Sequence, residues 1–213
     1  MKVILSVISL CFYCPFLTAA DPKGIPPEEN VNSEKLASYY FDQGVDEGEK
    51  GNHAKAFQWF KKAAEQGIVP AQFNLGLMYL KGEGVLQDYK QAFKWYTKAA
   101  EQGHALAQFN LGLMYRQGHG ALQDYKQAVK WYTKSAEQGF ADAQYNLGVL
   151  YALGNGVLKD TVTAYSWANI AAANGHSSKL RELLTKQMTP EQIAEGQKLS
   201  REMVKANPKL LGN

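Results

Sequence analysis

Cysteine is almost absent from this sequence. Of 213 residues only Cys11 and Cys14 are cysteines, and both lie near the start of the chain. Long runs of like charge are missing as well, because 23 basic and 20 acidic residues are interspersed and the formal net charge is only +3. A nucleic-acid-binding domain usually carries a basic block or stripe. We therefore expect no nucleic-acid partner.

The sequence also lacks the common catalytic motifs. It contains no G-x-S-x-G, H-E-x-x-H or Walker A pattern, and no G-x-G-x-x-G that follows a strand. The four histidines are dispersed, and no two of them share a predicted helix face as metal ligands would. We therefore predict a protein that is not an enzyme, uses no cofactor and holds no metal.

The first twenty residues are typical of a signal peptide. Lys2 precedes a mainly apolar run, residues 3–17, which is short for a membrane span. Small residues at Thr18 and Ala20 predict cleavage after Ala20, and an uncleaved anchor is the alternative. Both cysteines fall in the removed segment, so their C-x-x-C spacing indicates neither redox nor metal chemistry. We expect a periplasmic or secreted protein with no stable membrane span after cleavage.

A period of 36 residues organises the rest of the chain. The string AQFNLGLMY at 71–79 recurs at 107–115 and, as AQYNLGVLY, at 143–151. The four tryptophans follow the same step: Trp59, Trp95, Trp131 and Trp167. A fixed period of this length is the signature of a repeat architecture. The Trp column is predicted to pack inside helical repeats, and stacking on bases or sugars is the alternative.

Each repeat is predicted to form two helices. Helix A covers about 71–80 and is followed by a Gly-x-Gly turn, Gly82 and Gly84. Helix B begins after an N-cap aspartate, Asp88, with glutamine three residues later, and ends at Gly103. The aspartate recurs as Asp124 and Asp160.

These motifs resemble the Sel-1-like repeat, a relative of the tetratricopeptide repeat. The resemblance rests on A-x-x-x-L-G-x-x-Y, G-x-G-V-x-x-D, A-x-x-W and A-A-x-x-G over about 36–176. It implies an all-α fold, a right-handed α-solenoid of about four helix-turn-helix repeats. The first unit departs from the pattern with the short turn Gly51-Asn52-His53, and the fourth has Ala168 where the second aromatic of helix B belongs.

Four segments follow from this organisation. We predict a signal peptide at 1–20, a disordered leader at 21–33, four repeats at 34–176 and a helical C-terminal cap at 177–213. The sequence Thr189-Pro190-Glu191-Gln192 marks a helix start in that cap, with Pro in the first turn and a capping-box Gln. The cap helix is expected to end near Ala206.

The resemblance also suggests where a partner would bind. In the tetratricopeptide fold the inner surface comes from helix A, and counting from the Leu-Gly pair gives a stripe of aromatic, amide and aliphatic residues. The candidate groove residues are Phe41, Phe73, Asn74, Leu77, Phe109, Asn110, Leu113, Tyr145, Asn146 and Val149. Side-chain amides both donate and accept, so an asparagine column can pair with a peptide backbone. The alternative is that the column only stabilises the stack.

The function predicted from the sequence is a non-enzymatic scaffold or adaptor. It would bind a peptide or partner protein in its concave groove, in the envelope or outside the cell. Two alternatives remain open: a peptidoglycan- or β-lactam-interacting envelope protein or enzyme, and a purely structural spacer. Cysteine-rich Sel-1-like proteins are linked to β-lactams, but they carry a cysteine pair in each repeat, which this chain lacks.

Overall fold

The computed structural model of the protein describes residues 33–212. The predicted signal peptide and the predicted leader, apart from Ser33, lie outside the described residues. Over residues 33–212 the regular structure is entirely helical. The helices are α1 (Ser33–Glu49), α2 (His53–Glu65), α3 (Val69–Lys81), α4 (Tyr89–Glu101), α5 (Ala105–Gln117), α6 (Tyr125–Ala136), α7 (Ala141–Leu153), α8 (Thr161–Ala173), α9 (Lys179–Thr185), α10 (Pro190–Ala206) and a short 3-10 helix (Pro208–Leu211).

The first eight helices form four antiparallel pairs that stack in chain order. Helices α1 and α2, α3 and α4, α5 and α6, and α7 and α8 pack within pairs, and each second helix packs on the first helix of the next pair. The predicted all-α solenoid of four helix-turn-helix repeats is confirmed. No helix within the described range is long and apolar enough to cross a bilayer.

The tryptophan column lies mainly in the core of the stack. Trp95, Trp131 and Trp167 are 7%, 6% and 7% exposed, whereas Trp59 is half-buried. Trp95 packs in a core cluster with side chains of α2 and α3, and Trp131 packs in one with α4 and α5. These positions agree with a packing role for the column.

Helix A is longer than the sequence suggested at its start. We expected it over 71–80, and α3 runs from Val69 to Lys81. Pro70 lies in the first turn, where a helix needs no backbone N–H donor and the fixed φ of proline is compatible with helical geometry. The recurring string begins at Ala71, directly after this proline, so the period alone places the helix start too late.

The turn between helices A and B requires glycine at one position. Gly84 has φ of +72°, and a Cβ there would lie 2.3 Å from the carbonyl oxygen of His53. Asp88 then caps α4, because its Oδ1 accepts hydrogen bonds from the backbone N–H groups of Lys90 and Gln91 at 2.8 and 3.0 Å. Asp124 and Asp160 cap α6 and α8. The predicted aspartate caps are therefore confirmed, but the side chains of Gln91 and Gln127 do not make the return bond of a capping box.

A second glycine lets the two helices of a repeat approach closely. A Cβ on Gly76 would lie 2.8 Å from the ring of Tyr96, and Gly112 faces Tyr132 in the same way at 2.7 Å. The fourth repeat has no ring at this position. There Leu180 of α9 approaches to 3.2 Å from where a Cβ of Gly148 would lie. The C-terminal segment thus supplies the apolar group that Ala168 does not.

The C-terminal helices cover the outer side of the last repeat. The hydroxyl of Ser166 in α8 donates to the carbonyl of Gly196 in α10 at 2.9 Å, and Asn169 donates to the hydroxyl of Ser200 at 3.0 Å. Helix α10 spans Pro190–Ala206, and Thr189 forms the predicted capping box with Gln192. This helical cap is as the sequence predicted.

Candidate functional site

The candidate groove residues share one side of the first helix in each repeat. On α3 the opposite side is buried, and it carries residues such as Ala71, Leu75 and Met78. Phe73, Asn74 and Leu77 are left half-exposed on the remaining side, as are their counterparts on α5 and α7. We call this surface, made of the ten candidate residues on α1, α3, α5 and α7, the groove face. All ten are partly exposed.

Neighbouring helices of the groove face lie side by side. An open cavity of about 360 Å³ lies between α1 and α3, and Val45, Asn74 and Leu77 are among its lining residues. Farther along the stack, Nη1 of Arg116 on α5 donates to Oδ1 of Asn146 on α7 at 3.1 Å. Of the ten candidate residues only Asn74 and Leu77 line that cavity. The other eight lie elsewhere on the four first helices, so the groove face is an extended surface and not a single pocket.

The aromatic residues of the groove face are held by their neighbours. The ring of Phe73 lies 5.7 Å from the ring of Tyr96 and stacks on His104 at 4.8 Å. Phe109 meets Phe140 at 5.0 Å, and Tyr145 stacks on His176 at 4.2 Å. Each of these rings therefore packs against the last residue of its own repeat, which follows the second helix. These aromatics pack and remain partly exposed at the same time.

The three asparagines differ in what they bond. Asn146 donates to the carbonyl of Asp142 at 2.7 Å and accepts from Arg116. Within residues 33–212, the side-chain amides of Asn74 and Asn110 form no hydrogen bond with another protein group. The amides of Asn74 and Asn110 therefore remain available to a ligand, whereas Asn146 is already engaged.

A glutamine column that we had not singled out joins the repeats. Gln108 is 4% exposed, its Nε2 donates to the carbonyl of Ala100 at 3.1 Å, and its Oε1 accepts from Nε2 of Gln138 at 2.7 Å. One side chain thus connects α4, α5 and the end of α6. Gln72 and Gln144 occupy equivalent positions with equivalent bonds. The Ala-Gln pair that recurs in the last three repeats could have predicted this column. A recurring pair is also what the consensus of any repeat shows, so it did not point to a bond between repeats.

The outer side of the stack places lysines over tryptophans. The ammonium nitrogen of Lys98 lies 4.3 Å from the centre of the Trp95 ring, and Lys134 lies 4.6 Å from Trp131. Such a cation over an aromatic face is attractive. Lys98 and Lys134, which flank the Trp column, therefore pack against the tryptophan rings.

Burial shifts the pKa of several side chains in the stack. His104 accepts a hydrogen bond from the backbone N–H of Ala107 at 3.2 Å, and burial lowers the pKa of its imidazole. The hydroxyls of Tyr96 and Tyr132 are buried without a hydrogen-bond partner. Burial raises the pKa of Tyr132 to about 12. Residues 33–212 contain no group of three or more His, Cys, Asp or Glu side chains arranged to hold a metal ion.

Stacked helical pairs with a repeating side-chain stripe along their first helices define an α-solenoid repeat protein. The Sel1 repeat model matches residues 34–68, 69–104, 105–140 and 141–176, and the chain belongs to the Sel1 repeat family. Proteins of this family mediate protein–protein interaction. No curated protein matches the chain.

Among the solved structures similar to this chain are two that cover most of it. A Sel1 repeat protein from Oxalobacter formigenes is 34% identical, with a TM-score of 0.67, over 81% of this chain and 74% of that protein. A protective antigen present in uropathogenic Escherichia coli strains is 32% identical, with a TM-score of 0.51, over 83% of this chain. The chain spans 47% of the length of that antigen, about half.

Proposed function

We propose that this protein is a non-enzymatic scaffold that binds an extended segment of a partner protein on the groove face. The observation that carries the proposal is the state of Asn74 and Asn110. Both amides are half-exposed at equivalent positions of successive repeats, and neither bonds another group of the described chain. A peptide backbone offers alternating N–H and C=O groups, and an amide side chain can pair with both.

The neighbouring side chains suit the same ligand. Phe73 and Phe109 lie next to the two asparagines and keep part of each ring exposed, while stacking fixes their orientation. A fixed ring loses little conformational freedom when it contacts a ligand, so less of the binding energy is lost to ordering. Backbone pairing with shallow apolar contacts would make the face tolerant of many side chains in the bound segment.

The rival explanation, that the asparagines only stabilise the stack, applies best to Asn146. That side chain bonds the carbonyl of Asp142 and the guanidinium of Arg116. Asn110 has no such bond to lose. The Asn110→Ala variant should therefore change the melting temperature little, while ligand affinity falls about two- to tenfold, as expected for one neutral hydrogen bond.

The test uses peptides selected from a random library on the full-length chain. Dissociation constants are measured for the natural chain, for Asn110→Ala and for Gln58→Ala, which removes an exposed amide from the outer side of α2. We expect only Asn110→Ala to weaken binding. A peptide methylated on the backbone nitrogen that meets Asn110 should lose its preference for the natural chain over Asn110→Ala.

Two results would count against the proposal. One is a large loss of stability in Asn110→Ala with unchanged peptide affinity, which would leave the column with a structural role. The other is a failure of the natural chain to retain any selected peptide or any crosslinked partner from the cell envelope, as a spacer would. Covalent labelling by a fluorescent penicillin would instead favour the β-lactam alternative.

We also propose that the protein acts in the periplasm or outside the cell. The support is the apolar run at 3–17 and the small residues Thr18 and Ala20. The processed chain should begin at Asp21 and leave the cells on osmotic shock. Ala20→Tyr, which puts a bulky side chain at the cleavage position, should retain the N-terminal segment. Finding Met1 at the start of the soluble natural protein would refute this proposal.

A further inference from the structure

Three leucines protrude from the stack in a regular row. Leu86, Leu122 and Leu158 are 89%, 91% and 91% exposed, although most large apolar side chains of the chain are covered. Each lies in the loop between the two helices of a repeat, at the same step of 36 residues. Because equivalent loops of a solenoid follow one edge of the stack, the three side chains lie along that edge. We call this row the leucine edge.

The loops hold these side chains outward. Before α4, the backbone N–H of Asp88 donates to the carbonyl of Tyr79 at 2.9 Å, and Nε2 of Gln87 donates to the carbonyl of Leu80 at 2.7 Å. The loop of Leu122 has the same pair of bonds, from Asp124 and Gln123. In both loops the two residues that directly follow the leucine bond back to the preceding helix and fix the loop on it. The exposed leucine is therefore a built feature of each turn.

Exposed lysines lie next to the leucine edge. Lys90 and Lys126 lie in the first turns of α4 and α6, and Lys159 directly follows Leu158; all three are exposed. None of the three forms an ion pair within residues 33–212. The cations are therefore free to meet an external anion.

The carboxylates near the edge are already engaged. Asp88, Asp124 and Asp160 accept backbone N–H bonds at helix starts, which turns them towards the protein. Glu83 lies 3.5 Å from the ammonium of Lys81. These carboxylates keep their charge but direct it at helix starts or at Lys81, whereas the exposed ammonium groups of Lys90, Lys126 and Lys159 are unpaired in the described part of the chain and can meet an anionic surface.

We propose that the leucine edge docks on an anionic lipid membrane. Leu86, Leu122 and Leu158 would enter the boundary between headgroups and acyl chains, while the neighbouring lysines contact headgroup phosphates. Apolar side chains next to lysines are the combination that holds proteins in the membrane interface. Single side chains that protrude from separate loops suit a fluid layer better than a protein surface, which would need a pocket for each of them. This surface is separate from the groove face.

The apolar run at 3–17 also has affinity for lipid, so vesicle binding by the whole chain would not report on the leucine edge. The test therefore places a dye in one loop of that edge. The full-length chain carries Cys11→Ser and Cys14→Ser, and Leu122→Cys is labelled with a polarity-sensitive dye. The matched control carries the dye at Leu106→Cys, which is 40% exposed in the first turn of α5, at the other end of the helices. Both chains are titrated with vesicles of phosphatidylcholine alone or with phosphatidylglycerol.

We expect the dye at position 122 to brighten with phosphatidylglycerol vesicles and to respond weakly to phosphatidylcholine. The dye at position 106 should stay dim. Replacing the other two leucines, Leu86→Gln and Leu158→Gln, should weaken the apparent affinity about tenfold or more, because apolar area no longer leaves water. Lys90→Gln with Lys126→Gln should weaken it as well, as should added salt. Circular dichroism checks that each variant folds.

Several results would overturn the proposal: no response at position 122, an equal response at positions 106 and 122, or a response that survives the two leucine replacements. Binding of the edge to a protein but not to lipid would give the first of these. Asn110→Ala should leave the vesicle response unchanged, so the membrane proposal and the groove proposal fail separately.

Discussion

The buried glutamine column offers a quantitative test of how the repeats are joined. In Gln108→Ala the stack loses two hydrogen bonds, from Nε2 to the carbonyl of Ala100 and from Gln138 to Oε1. Each is worth about 1 kcal/mol net. The site is 4% exposed, so removing most of the side chain also leaves a small cavity. We expect the free energy of unfolding to fall by about 2–4 kcal/mol in total.

Two further variants separate hydrogen bonding from packing. Gln108→Glu keeps the shape but points an oxygen, which has no proton when ionised, at the carbonyl of Ala100. It should destabilise at least as much as Gln108→Ala at neutral pH, because an ionised carboxylate is then buried without a cation. Gln144→Ala should cost about 1 kcal/mol more than Gln108→Ala, because Gln144 also donates to the carbonyl of Leu210 at 2.8 Å.

The assay is urea unfolding followed by circular dichroism, with thermal melts alongside. For a domain of this size a loss of 2–4 kcal/mol corresponds to a drop in melting temperature of about 5–15 °C. Gln58→Ala, an exposed amide on α2, is the matched control and should stay within about 0.5 kcal/mol of the natural chain. If Gln108→Ala unfolds like the control, the glutamines do not join the repeats and the reasoning is wrong.

Three further predictions follow from buried groups and from the cap. Tyr132→Phe should leave stability unchanged or raise it in urea unfolding, because its hydroxyl is buried without a partner; a loss above about 1 kcal/mol would indicate a bond that this geometry lacks. Burial lowers the pKa of His104 from its usual 6.5, so the unfolded chain binds a proton more readily than the folded chain. The contribution of His104 is therefore fully present above about pH 6.5 and is lost as the pH falls through and below that value. Melting temperatures from pH 8 to pH 5 should decrease less in His104→Asn, which keeps an N-cap side chain; identical pH profiles would contradict this. Truncation after Gly175 should expose the face of α8 that α10 covers and cause aggregation in light scattering, whereas a monodisperse truncated chain of unchanged stability would show that the tail is not a cap.

Periodicity made much of the fold readable from the sequence. Helix pairing, the N-cap aspartates and the Gly-x-Gly turns depend on local backbone geometry, and local rules need no knowledge of distant contacts. The same period assigned Phe73, Asn74 and Leu77 to one helix face, where the structure has them half-exposed.

Contacts between repeats were decided only by the tertiary structure. Asn74 and Asn146 occupy the same position of the repeat, yet only Asn146 accepts a hydrogen bond from the preceding first helix, where Arg116 reaches it across the stack. Leu180 fills the space beside Gly148 through a contact 32 residues away in sequence, which no local pattern encodes. The glutamine bonds and the exposure of the leucine edge likewise depend on where the next repeat lies. A periodic sequence therefore determines the repeating unit, while the ends and the differences between units depend on what each side chain meets after stacking.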